Sequence, residues 1–207
     1  MDKISKFRFK YLFYTLGAFL LLLFLDFEFL AFIAALVVLY VLYSFRDPEV
    51  ELQNIQEGGV VAPVDGKVVA IEEIDNDSYR YKLTLTSTLF DKAIVRMPVK
   101  GSVTSLHSVH GTRVSNTSPL FEKLNEHATL VIKDTHGNNI KIVHRLKQSF
   151  APLFFDIKNN ATLPQTARYG VALYSDTTIY FSEYFRIDIH VGDTLTAGET
   201  LLGYYSK

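Results

Sequence analysis

The sequence predicts an all-β soluble domain of short strands carried on an amino-terminal pair of apolar helices. Three observations lead there. Residues 11–45 are almost wholly apolar, with only Asp26 and Glu28 charged among them. From Gly58 onward, short stretches rich in β-branched and aromatic residues alternate with turn residues. Helical periodicity is weak throughout that second region. The chain therefore divides into a membrane anchor, residues 1–46, and a β domain, residues 47–207.

Within the anchor, Lys3, Lys6, Arg8 and Lys10 precede a run from Tyr11 to Leu25, and a second run extends from Phe29 to Phe45. A signal peptide would end at a small-residue cleavage site, whereas the first run meets acids and then more apolar residues. A single helix over the whole stretch would be about 50 Å long at 1.5 Å per residue. That overshoots a hydrocarbon core of about 30 Å and buries two carboxylates near its middle. Two short helices, 11–25 and 29–45, with the acids at the far turn remove both difficulties. The basic residues and Arg46 then share one side, which the positive-inside rule makes cytoplasmic. The expectation is a transmembrane helical hairpin in the cytoplasmic (inner) membrane, with the β domain on the cytoplasmic side. Each arm is short, so a re-entrant hairpin also satisfies the pattern, and a buried core hairpin is the bland alternative.

In the second region, Val60–Ala62, Lys67–Ile71, Tyr79–Thr86, Ala93–Met97, Ser102–Leu106, Thr129–Lys133, Ile140–Leu146, Gly170–Leu173, Thr178–Ser182 and Glu199–Tyr204 read as strands. Asp65-Gly66, Lys100-Gly101, His136-Gly137-Asn138, Gly192-Asp193 and Ala197-Gly198 punctuate them. One helix is expected, from Ser118 to His127, with Ser118 as cap and Pro119 in the first turn. Residues 47–207 carry 16 Lys or Arg against 19 Asp or Glu. That balance argues against a nucleic-acid partner, which needs concentrated basic charge. The chain has no cysteine, so disulfides, thiolate metal sites and cysteine nucleophiles are excluded. A homo-oligomer is compatible with the sequence.

Pro63-Val64-Asp65-Gly66-Lys67-Val68 and Pro98-Val99-Lys100-Gly101-Ser102-Val103 share one turn frame, and Gly192-Asp193-Thr194-Leu195-Thr196-Ala197-Gly198 forms a third corner. Such corners resemble the barrel-sandwich hybrids of lipoyl and biotinyl carriers and related enzymes. Their order is more specific. Phe45-Arg46-Asp47-Pro48-Glu49 after the apolar runs, Ala62-Pro63-Val64-Asp65-Gly66-Lys67-Val68, Arg96-Met97-Pro98-Val99-Lys100-Gly101, and Arg168-Tyr169-Gly170 followed by Tyr174-Ser175 resemble the short phosphatidylserine decarboxylases, in order and over nearly the whole chain.

That resemblance implies an internal serine, here Ser175, that attacks the carbonyl of Tyr174 and becomes a covalent pyruvoyl group, with no metal. It also implies a lyase of phospholipid biosynthesis that turns phosphatidylserine into phosphatidylethanolamine, with Asp65 in the family's acidic position. Read from residues alone, Asp65 is equally a turn residue, Ser175 an ordinary polar residue between strands, and Arg168 either a structural ion-pair partner or a contact for the lipid phosphate.

Two departures stand out. Aligning on Pro98 and Gly101 puts Ala93 where the family has a histidine, and Tyr174 stands where the family has glycine before its serine. Of the histidines, His107 and His110 lie nearest in sequence to the second corner. A catalytically inactive relative, acting as a membrane-anchored lipid- or protein-binding scaffold, is therefore a rival. A lipoyl-type carrier acylated on Lys92 of Asp91-Lys92-Ala93 is a more remote one. His107-Ser108-Val109-His110 has the wrong spacing for a zinc peptidase.

Overall fold

The computed structural model describes residues 3–50, 58–75 and 78–205; the outermost residues of the two expected domains, at 1–2 and 206–207, lie outside the described residues. Two helices open the chain, α1 (Lys3–Phe24) and α2 (Glu28–Ser44). They are joined at Leu25–Phe27, where Asp26 takes a φ of 55°. α1 is long and apolar enough to cross a membrane, and α2 is apolar but shorter. Both expose large apolar side chains, Phe13, Phe24 and Phe29 among the most open.

The expected start at Tyr11 is corrected: α1 begins at Lys3. Two of its basic residues, Lys3 and Arg8, are held by residues outside the helices. Lys3 pairs with Asp156 at 2.9 Å, Arg8 with Asp47 at 2.9 Å, and Ile4 is buried.

The strands are β1 (Gly59–Val61), β2 (Gly66–Glu73), β3 (Tyr81–Thr86), β4 (Ile94–Arg96), β5 (Gly101–Val109), β6 (His127–Asp134), β7 (Asn139–Leu146), β8 (Phe154–Phe155), β9 (Thr162–Leu163), β10 (Arg168–Val171), β11 (Ser175–Phe181), β12 (Phe185–Ile187), β13 (Thr194–Leu195) and β14 (Leu201–Tyr205). All ten expected strands are present. The expected helix at 118–127 shrinks to α3, Phe121–Leu124, because His127 is taken into β6 opposite Val109. The strand expected from Thr178 begins at Ser175.

The main sheet has eight strands in the order β13-β2-β3-β11-β7-β6-β5-β9, and two three-stranded sheets, β1-β14-β12 and β4-β10-β8, accompany it. Alternation along β7 and β11 puts one face inward. Leu83, Leu85, Leu130, Ile132, Ile140, Ile142, Ile179 and Phe181 build the main core from that face. A second, smaller core lies where the helices meet the domain: Ile4, Val41, Phe45, Ala93, Ile94, Ala151, Val171 and Leu173 are buried together, with Phe7, Tyr11, Phe154 and Tyr174 packed against them. Burial of such side chains stabilises by roughly 1.5–3 kcal/mol each, so this contact fixes the helices to one end of the β domain.

Candidate active site

Segments far apart in sequence meet at the start of β11. Lys67 pairs with Thr86, and Thr86 with Asp176. The next row of the antiparallel ladder therefore brings Gly66, Ser87 and Ser175 side by side. Glycine is required at 66 by close approach, since a β-carbon there would stand 2.6 Å from the Thr86 carbonyl oxygen. Ser87 grips Ser175 on both sides of its α-carbon. The Ser87 Oγ accepts from the Ser175 N–H at 2.8 Å, while the Ser87 hydroxyl and N–H both donate to the Ser175 carbonyl at 2.9 Å. Ser175 is 1% exposed, and its own hydroxyl donates weakly to the Ala172 carbonyl at 3.4 Å.

Immediately before it, Tyr174 adopts a φ of 52°. A side chain with a β-carbon is disfavoured there by about 1–2 kcal/mol, and such strain gathers at functional sites. The Tyr174 carbonyl, which belongs to the peptide bond joining it to Ser175, accepts the Lys147 N–H at 3.0 Å.

Asp65 is buried beside this row. Its Oδ1 accepts from the Ala197 N–H at 2.8 Å, its Oδ2 from the Lys92 N–H at 3.3 Å, and the Lys92 ammonium lies 3.5 Å from Oδ1. Ala93 follows Lys92, and its carbonyl accepts the Ala172 N–H at 2.8 Å. A path thus runs from the Asp65 carboxylate through residues 92–93 to Ala172 and the Ser175 hydroxyl. Every link between those ends is a main-chain group, and the side chain of Ala93, a methyl, adds no donor or acceptor to the path.

The family model for phosphatidylserine decarboxylase matches residues 38–203. The chain belongs to the phosphatidylserine decarboxylase family. Among its relatives, the phosphatidylserine decarboxylase proenzyme of Desulfotalea psychrophila is 27% identical over 181 residues, 85% of this chain and 84% of the relative. That of Pelagibacter ubique is 27% identical over 182 residues, 84% of each chain. The proenzyme of Cereibacter sphaeroides is 28% identical over 190 residues, covering 88% and 82%.

For a member of this decarboxylase family, the placement of the remaining residues is informative. Arg168 gives its Nε to Asp47 Oδ2 at 3.1 Å. Asp47 is also bound by Arg8 and, at 2.8 Å, by Arg96, so one buried carboxylate faces three guanidinium groups. Burial lowers the pKa of Arg96, while Asp47 opposes that shift. Lys92 is mostly enclosed against Asp65, away from the protruding position an acylated carrier lysine needs.

His107 and His110 are exposed on or just beyond β5. β6 and β7 separate β5 from β11, so the distance across the sheet is about 14 Å at 4.7–4.9 Å per strand. One histidine, His144, lies in the strand beside β11, two residues along the ladder from the Ser175 row. It is fully buried opposite Thr177, with Nδ1 2.9 Å from Thr177 Oγ1 and Nε2 2.6 Å from the Tyr169 hydroxyl. Burial pushes its pKa down to about 3 and raises that of Tyr169 well above the usual range. The ring is neutral, with one nitrogen donating and the other accepting.

Ser87, Lys147 and the siting of His144 were not visible in the sequence. Each acts through a neighbouring strand, and no local motif marks them.

Proposed function

We propose that this chain is a phosphatidylserine decarboxylase made as a proenzyme, which cuts itself between Tyr174 and Ser175 at the membrane surface. The single observation that carries this reading is the Tyr174-Ser175 peptide: left-handed at Tyr174, enclosed at Ser175, its carbonyl already hydrogen-bonded. The Ser175 hydroxyl adds to the Tyr174 carbonyl carbon, the peptide C–N bond breaks, and the hydroxyl proton ends on the freed Ser175 nitrogen, giving an ester. Loss of the Ser175 α-proton with rupture of Cβ–Oγ frees the Tyr174 carboxylate, and hydrolysis with release of ammonia leaves the pyruvoyl group. Once formed, that group supplies a ketone that takes the substrate's amine and the electrons left as carbon dioxide departs.

The surrounding residues suit this chemistry in most respects. Ser87 holds both ends of residue 175, and Asp65 orients the 92–93 segment beside it. The three arginines around Asp47 leave an excess of positive charge beside the helix ends. Arg168, partly exposed and bonded to Asp47 through Nε alone among the described residues, is our reading of the contact for the lipid phosphate. α1 and α2 would form a hairpin in the cytoplasmic (inner) membrane, with residues 47–207 on its cytoplasmic face as a scaffold of the barrel-sandwich kind. Docking of the helices against Ala93, Leu173 and Tyr174 keeps the cut site near the bilayer, raising its effective concentration toward a lipid head group.

A second reading is favoured by one observation. Among the described residues the Ser175 hydroxyl bonds to the Ala172 carbonyl and to no titratable side chain, and the methyl of Ala93 supplies no base. General acid or base help is worth about 10²–10⁴-fold in rate, so a non-cleaving, lipid-binding relative is the alternative. Denaturing mass spectrometry of the purified full chain separates the two. A fragment Ser175–Lys207 with a pyruvoyl terminus, absent in Ser175→Ala, together with carbon dioxide release from phosphatidylserine vesicles, is expected. An uncut chain with no turnover favours the scaffold.

A further inference from the structure

Lys147 directly follows β7 and is 3% exposed. Its main chain pairs with Tyr174, one step beyond the Leu146–Ser175 pair, yet its ammonium bonds to β3 and its continuation. Nζ donates to the Ser87 carbonyl at 2.6 Å and to Thr86 Oγ1 at 2.7 Å, and lies 3.2 Å from Asp176 Oδ1. β11 runs between β7 and β3, so the side chain crosses the start of β11, where the Tyr174-Ser175 bond lies. The ammonium also sits 4.4 Å from the centre of the Tyr174 ring. A buried lysine is uncommon unless paired, and its carboxylate partner among the described residues, Asp176, is the residue that follows the serine.

We propose that Lys147 promotes formation of the ester at Ser175. Its main-chain N–H touches the Tyr174 carbonyl oxygen, which gains negative charge as the serine hydroxyl adds. Its ammonium acts as a positioning group, holding Ser87 against Ser175 and keeping a positive charge over the Tyr174 ring, next to the bond to be cut. Preorganised donors and charges of this kind act most strongly in a water-excluded site. This rests on the self-cleavage proposed above. It assigns part of the work to a residue outside the acid–histidine–serine pattern that Ala93 interrupts. In atoms the step is closed: one C–O bond forms, one C–N bond breaks, and the proton moves from oxygen to nitrogen within residue 175.

The test follows the freshly synthesised full chain in phospholipid nanodiscs by denaturing mass spectrometry, with and without hydroxylamine. Hydroxylamine cleaves the ester and releases Ser175–Lys207 with its serine intact, so it reads ester formation apart from elimination. Lys147→Met keeps the main-chain N–H and removes only the ammonium, so it should lower both the serine-terminated and the pyruvoyl-terminated fragment by about tenfold, equivalent to about 1.4 kcal/mol of barrier. Lys147→Arg should recover most of that loss. Lys147→Gln keeps hydrogen-bond donors without charge and should behave like Lys147→Met; thermal melting in a Ser175→Ala background identifies which variants are folded. Wild-type cleavage in folded Lys147→Met or Lys147→Gln overturns the assignment and leaves the self-cleavage reading standing. So does loss of the pyruvoyl fragment with an unchanged serine-terminated one. A wild-type chain that hydroxylamine and time both leave intact overturns the two together.

Discussion

At Tyr174 three contacts hold a conformation that a tyrosine otherwise avoids. The Lys147 N–H bonds its carbonyl, the Lys147 ammonium lies over its ring, and the ring packs on the small core beneath the helices. Glycine, which the family carries there, reaches the same φ without strain, so tyrosine at 174 holds by side-chain contacts a conformation that glycine adopts freely. Ala93 has a comparable explanation. It is 1% exposed among Val41, Phe45, Ile94 and Leu173, where a larger side chain displaces helix packing. Restoring the family residue by Ala93→His should therefore destabilise the protein by about 1–3 kcal/mol, the usual cost of overpacking. Urea unfolding in detergent micelles measures it, and an unchanged midpoint would show that the small core has room to spare.

Strands carry the next consequence, through the His144–Thr177 pair of β7 and β11. With a folded pKa of about 3 against an ordinary 6.5, His144 takes up its proton in the unfolded chain first. Its contribution is complete above pH about 6.5 and is lost as pH falls from there toward 3, with a slope of up to about 1.4 kcal/mol per pH unit. His144→Gln should flatten the unfolding free energy over that window, and a profile as steep as wild type would assign the acid sensitivity elsewhere. The same pair shows how far sequence reasoning reached. Inward-outward alternation made β7 legible and most of β11 as well. It could not disclose β8, β9, β12 and β13, which are two or three residues long and present no period. The 118–127 segment misled because its capping signals are local, whereas the pairing of His127 with Val109 is tertiary. At the site, Ser175 and Asp65 stood out by motif order. Ser87 and Lys147 reach them only across β3, β11 and β7, a relation that linear spacing does not encode.

Taken as a whole, the molecule is joined at Asp47. Arg8 comes from α1, Arg96 from β4 and Arg168 from β10, and the carboxylate between them is only 4% exposed. The more exposed Arg8 and Arg168 pairs contribute little by themselves; the enclosed Arg96 pair dominates. Asp47→Ala leaves that guanidinium buried without its counter-charge and should cost about 3–5 kcal/mol. The same unfolding measurement reads it, and a loss within 1 kcal/mol would mean that water reaches Arg96. β4 and β10 lead directly to Ala93 and toward Tyr174, so loosening this junction also loosens the site.

One feature of the main sheet bears on what becomes of a cut chain. β11 lies between β3 and β7, β13 is bonded to β2, and β14 is bonded to β1 and β12. Every strand after Ser175 is thus laced, directly or through β14, into strands that precede it. Severing the backbone before Ser175 removes a tether without opening a seam: the short piece is threaded through the middle of the long one, and the two can part only by unfolding.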